Sequence, residues 1–85
     1  MIDEETNNED MNRRRAIAFC KEKLPVHITK LSGIFYNGVI LKVDEEFFTI
    51  DDQEDGAKVI FFFELKKPIV EFEEVNYERE KEEKN

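Results

Sequence analysis

Residues 32–50 read SGIFYNGVILKVDEEFFTI, and the fold turns on what Asn37-Gly38 does in the middle of that stretch. An Asn-Gly pair between apolar runs is a strong signal for a two-residue hairpin. A glycine inside a longer strand lets the ribbon bend sharply or lets another backbone come close. We read it the second way, because a small barrel needs such a bend. Ile34–Val43 is then one long curved strand. Ser32-Gly33 makes the tight turn before it, and Asp44-Glu45-Glu46 turns the chain into a third strand, Phe47–Asp51.

Upstream, Val26–Leu31 has the β-branched content of a first strand. Before it the periodicity is helical. Asn7 or Asn8 can serve as an N-cap, Glu9 and Asp10 suit the positive end of the helix dipole, and a helix runs from about Glu9 to Lys23 until Pro25 stops it. Its apolar stripe includes Ile17, Cys20 and Leu24. Downstream, DDQEDGA loops into a fourth strand, Lys58–Leu65, and Pro68 precedes a short fifth strand, Ile69–Glu74. One helix followed by five antiparallel strands is mainly β; too few for a sandwich, the strands suit a strongly bent, SH3-like barrel. The chain divides into an acidic disordered N-terminus (1–8), one domain (9–74) and a charged tail (75–85).

The fourth strand carries an excess. Val59, Phe61, Phe63 and Leu65 point one way, yet Ile60 and Phe62 on the other face are equally apolar. A small sheet with one wet face should alternate apolar and polar. Either the helix caps the second face of a monomer, or the strand meets another copy of the chain. Ile60, Phe62 and Ile69 are the expected subunit contacts on the second reading.

Eighty-five residues leave room for one small domain. With 40% apolar and 40% charged residues, eight Phe and no Trp, the chain is neither fibrous nor wholly disordered. A single Cys cannot form an internal disulfide. There is no apolar run of the roughly 18 residues a membrane helix needs, and the acidic start is unlike a signal peptide. A cytoplasmic protein without membrane contact is expected.

The formal charge of −8 is unevenly spread. Residues 1–12 hold five acids and no base, and residues 71–85 hold seven acids against three bases. Residues 13–30 carry Arg13, Arg14, Arg15, Lys21, Lys23 and Lys30 against Glu22 alone. Such a run is most often a solvated helix face; the sharper reading is a patch for phosphates.

Catalysis finds little support. The lone Ser32 and lone His27 lie at opposite ends of the first strand and its turn, and no triad motif accompanies them. His27 reads as a strand residue facing solvent or a subunit contact, and Cys20 as a small apolar group. The acids Asp51, Asp52, Glu54 and Asp55 lack the alternation and closing Glu of a calcium loop and read as a solvated turn. No cofactor and no metal is expected.

The segment 32–50 resembles the first signature of the Sm-like (Lsm) family: a glycine turn, a second glycine five residues on, alternating apolar residues, an aspartate, and a short turn into an apolar strand. Gly33, Gly38, Ile40, Val43 and Asp44 fall in register with it. The resemblance implies a bent five-stranded barrel, a six- or seven-membered ring closed through the fourth strand of one subunit and the fifth of the next, and RNA near the pore. Phe47 matches the family's stacking position, but Phe48 stands where the family has a base-reading asparagine. The second signature, an apolar residue followed by Arg-Gly, is absent; the turn there is Glu64-Leu65-Lys66-Lys67-Pro68. With those departures, the resemblance implies an oligomeric module with weak, salt-dependent RNA contact through Arg13, Arg14, Arg15, Lys66 and Lys67 and stacking on Phe47. The alternative is an interaction module that binds other proteins and has lost base recognition.

Overall fold

The computed structural model describes residues 4–72, with side chains from Glu9 onward. The expected tail 75–85 lies outside them. The element order is α1 (Glu4–Glu22), β1 (Pro25–Thr29), β2 (Phe35–Val43), β3 (Phe47–Asp52), β4 (Gly56–Phe61), a short 3-10 turn (Phe62–Glu64) and β5 (Val70–Glu71). All pairings are antiparallel and the sheet order is β4-β3-β2-β1-β5. One helix and five strands in one bent sheet are what the sequence predicts.

Asn37-Gly38 is no hairpin. Gly38 lies within continuous β2, facing Val26 of β1 on one side and Asp52 of β3 on the other. A Cβ at position 38 would come within 1.9 Å of the Asp51 carbonyl oxygen, far inside contact distance and against a main-chain atom. Glycine is therefore required for close approach of β3. A register shift between Ile40 and Lys42 adds a bulge to β2, which bends the strand further. The predicted turn at Ser32-Gly33 also forms, with Gly33 at φ +95° and its N–H donating to the Lys30 carbonyl at 2.8 Å. Asp44 N–H donates to the Phe47 carbonyl at 2.7 Å and closes the β2–β3 turn.

The core is the inward face of the bent sheet. Val26 and Ile28 of β1, Ile40 of β2, Phe48 and Ile50 of β3, and Ile60 of β4 alternate into it, joined by Phe62, Ile69 and Ala16 of the helix. The ring of Phe48 packs on that of Phe62 with centroids 5.2 Å apart.

Several expectations need correction. The helix begins at Glu4, not near Glu9, so residues 4–8 are helical and Asn7 and Asn8 lie inside it. Its inward face is Asn12, Ala16, Phe19 and Cys20; Ile17 is exposed. The face is set by hydrogen bonds: Ile69 N–H donates to Asn12 Oδ1 at 2.9 Å, and Arg15 Nε donates to the Ile69 carbonyl at 2.9 Å. The helix ends in a Schellman-type cap, Leu24 N–H to Phe19 O at 3.1 Å and Lys23 N–H to Cys20 O at 3.2 Å, with Lys23 at φ +57° in the place glycine usually takes.

The fourth strand also ends early, at Phe61. Phe62 opens the 3-10 turn and drops into the core, while Val59 and Phe63 face out. Ile60 and Phe62 thus face the core while Val59, Phe61 and Phe63 lie on the outer side, so both faces of this segment are apolar, as the sequence predicts, and the second face is the core of the same chain. Ile60, Phe62 and Ile69, the expected subunit contacts, are at most 3% exposed. Their side chains fill the core of one chain and present no surface to another.

Candidate nucleic-acid interface

After the 3-10 turn the chain crosses to the free edge of β1. Leu31 N–H donates to Glu64 O at 2.7 Å, Lys66 N–H donates to Thr29 O at 2.8 Å, and Phe72 N–H donates to Pro25 O at 2.9 Å. After Lys66, at Lys67-Pro68, the ladder is interrupted, as a proline without an N–H dictates. Both lysines are exposed. They line a groove of about 310 Å³ together with Glu9 and Asn12 of the helix, Leu31 and Phe63. Lys30 closes on Glu64 at 3.1 Å, both side chains about a quarter exposed. That ammonium neutralises a carboxylate oxygen, Glu64 Oε1, that is buried without an aligned hydrogen bond.

The three arginines do not form one patch. Successive helical residues are about 100° apart around the axis, so Arg13, Arg14 and Arg15 diverge. Arg13 and Arg14 each place Nη2 3.0 Å from an oxygen of Asp10. Arg15 turns inward to the Ile69 carbonyl, where it fastens the helix to the chain entering β5. Arg14, with a side chain 77% exposed, is the most open of the three.

Phe47 is half-buried at the start of β3, its centroid 5.5 Å from Phe61, which lies 5.4 Å from Phe63. The three rings form a ladder from β3 to the lysine groove. Phe48 is wholly buried. The position at which the resemblance would put a base-reading asparagine is therefore a core position in this chain.

A polar network that sequence reading missed lies across β1, β2 and β3. Asp52, 8% exposed, accepts from the N–H groups of Asn37 at 3.0 Å, Glu54 at 3.0 Å and Asp55 at 2.9 Å. Burial pushes its carboxyl up, but those three donors and the charge of Lys58 outweigh it and hold it below the ordinary carboxylate value. The predicted solvated turn is thus a turn built on one buried acid. An aspartate ahead of three turn residues and Gly56 was its visible signal, an Asx turn. Asn37 Oδ1 in turn meets His27 Nδ1, and His27 Nε2 lies 3.4 Å from Thr29 Oγ1. His27 is a partnered strand residue, stacked 5.5 Å from Phe35. Cys20 packs half-buried against the core.

Among solved structures, the chain is similar to a crystal structure of the pleiotropic translational regulator Hfq, with a TM-score of 0.59 and 18% identity over 67% of this chain and 92% of that one. The fold is the Sm-like fold. No protein-family model matches the chain, and no curated protein does. No described helix is long and apolar enough to cross a membrane.

Proposed function

We propose that the chain is a non-catalytic Sm-like module that associates with further copies of itself and holds single-stranded RNA weakly at Lys66 and Lys67. The observation that carries this reading is the exposed lysine pair at the interruption of the β1 ladder, beside an aromatic ladder. Lysines there act as point charges for phosphate, without the flat fork with which arginine also stacks on bases. Self-association is supported by β4 and β5, the two outer strands of the sheet order, and by exposed Val59 and Val70 on them. Outer strands offer unpaired backbone groups to another chain. A translational regulator of the same fold makes RNA the nucleic acid to try first.

A second reading, an assembly module in the cytoplasm that binds proteins and no RNA, has its own support. Phe48 is in the core, and Arg13 and Arg14 share Asp10. Titration of a labelled U12 RNA separates the two. With two phosphate contacts, affinity should fall about sevenfold between about 50 and 200 mM salt. Lys66→Glu with Lys67→Glu should abolish binding and leave the native mass unchanged. Absence of binding at the lower salt leaves the assembly reading.

A further inference from the structure

The lysine groove has a neighbour. Leu31 and Phe63, 67% and 62% exposed, line it and also line an adjoining slot of about 280 Å³ with Lys30, Ser32 and Glu64. Single exposed apolar side chains are ordinary on a surface. Here, though, a leucine from the β1–β2 turn and a phenylalanine from the 3-10 turn share one opening, beyond the end of β4. The polar groups of the slot are occupied locally. Lys30 and Glu64 hold one another at 3.1 Å, and Ser32 Oγ accepts weakly from Ile34 N–H at 3.4 Å.

Such a slot suits a flat, unsaturated ring that asks for stacking rather than for hydrogen bonds at its edge. The adjoining Lys66 and Lys67 suit an anion attached to that ring. Resting on the RNA reading above, we infer that the Leu31–Phe63 slot holds one unstacked nucleobase of the strand whose phosphates meet Lys66 and Lys67, and that it accepts any of the bases. Every base has a π face, so stacking alone discriminates little, whereas sequence reading in single strands uses hydrogen bonds to base edges. Phe63, not Phe47, is then the first stacking platform: both rings touch Phe61, but Phe63 is largely exposed whereas Phe47 is half-buried.

The full chain is titrated with fluorescein-labelled U12, A12 and C12 RNA and with an abasic ribose-phosphate 12-mer. The three homopolymers should bind within about threefold of one another, and the abasic strand about tenfold more weakly. Phe63→Ala should weaken U12 binding about tenfold with the salt slope unchanged, whereas Lys66→Ala with Lys67→Ala should weaken binding and flatten that slope. Phe63→Trp should retain affinity. Because Phe63 is largely exposed, the thermal midpoint should be the same in all Phe63 variants. If wild type binds U12 but Phe63→Ala binds equally well, the slot is overturned while the RNA reading stands. A preference for U12 of more than about tenfold overturns base tolerance, since it requires a polar edge contact. If Phe63→Ala lowers the native mass, Phe63 is a subunit contact and the slot is overturned. No binding of any strand by wild type overturns the slot and the RNA reading together.

Discussion

The sheet and the helix of this small domain are held to their places in different ways. Across β1, β2 and β3 most of the fit is made by main chain and apolar packing, with the Asp52–Asn37–His27 network at one end: Gly38 lets β3 close in, and Ile28, Ile40, Phe48 and Ile50 fill the hollow that results. The helix contributes one fully buried apolar residue, Ala16, and is steered by two hydrogen bonds to a single residue, Ile69. Apolar packing is nondirectional, so it tolerates approximate geometry; hydrogen bonds fix rotation and register. One domain thus uses packing to gain stability and polar contacts to choose which face of a helix meets the sheet.

Four substitutions sharpen or break that contrast. The largest effect should come from Gly38→Ala. Its methyl would need the space of the Asp51 carbonyl, so β2 and β3 must separate, and we expect a loss of at least about 4 kcal/mol, most of the stability of a small domain. Urea denaturation should show no cooperative transition. A variant that unfolds like wild type would mean that the bend comes from the Leu41 bulge alone.

Asp52→Asn comes next, with an expected cost of about 2–3 kcal/mol, since the carboxylate is buried and accepts from three main-chain donors. Its folded-state pKa lies below the ordinary value. The stability it supplies is accordingly present above the unfolded-state pKa, near 3.8, and is lost as pH falls through the folded-state value. Wild-type stability should decline in that acidic window, and the Asn variant should decline less. Parallel curves for the two proteins would exclude Asp52 as the source.

Asn12→Ala tests the helix side. It leaves the Ile69 N–H without its partner in a buried position, at a cost of about 1–2 kcal/mol in thermal unfolding. Replacing the same side chain by leucine should not rescue it, because the orphaned donor remains. A loss as large as that of Gly38→Ala would erase the distinction between the two regions. The smallest change should be a gain. Lys23 holds φ +57° in the helix cap, so Lys23→Gly should stabilise by about 0.5–1 kcal/mol, read as a rise in thermal midpoint.

The same contrast explains what could be read in advance. The sheet was legible because β-branched and aromatic residues alternate, and because the glycine at position 38 sits where only a bend or a hairpin is available. The helix was legible in existence but not in orientation. Apolar spacing favoured Ile17, Cys20 and Leu24, whereas the inward face carries Asn12, a polar residue whose partner is 57 positions away. No local pattern encodes a bond of that span. The boundary at Phe61 was hidden for a related reason: Phe61, Phe62 and Phe63 are identical in type, and no local pattern marks which of them leaves the strand, while Phe62 packs on Phe48 of β3. Of the predicted RNA contacts, Lys66 and Lys67 are exposed around a common groove. Arg13 to Arg15 scatter around the helix axis, as consecutive residues must.

The approach of β3 to Gly38 also limits how this protein can change over time. The atom that a new side chain at position 38 would strike is a carbonyl oxygen, which every amino acid carries. No exchange at residue 51 can therefore act as a suppressor. A selection for revertants of Gly38→Ala should return glycine at position 38 and no change at residue 51, even while the exposed Leu41, three residues along the same strand, is free to be sampled.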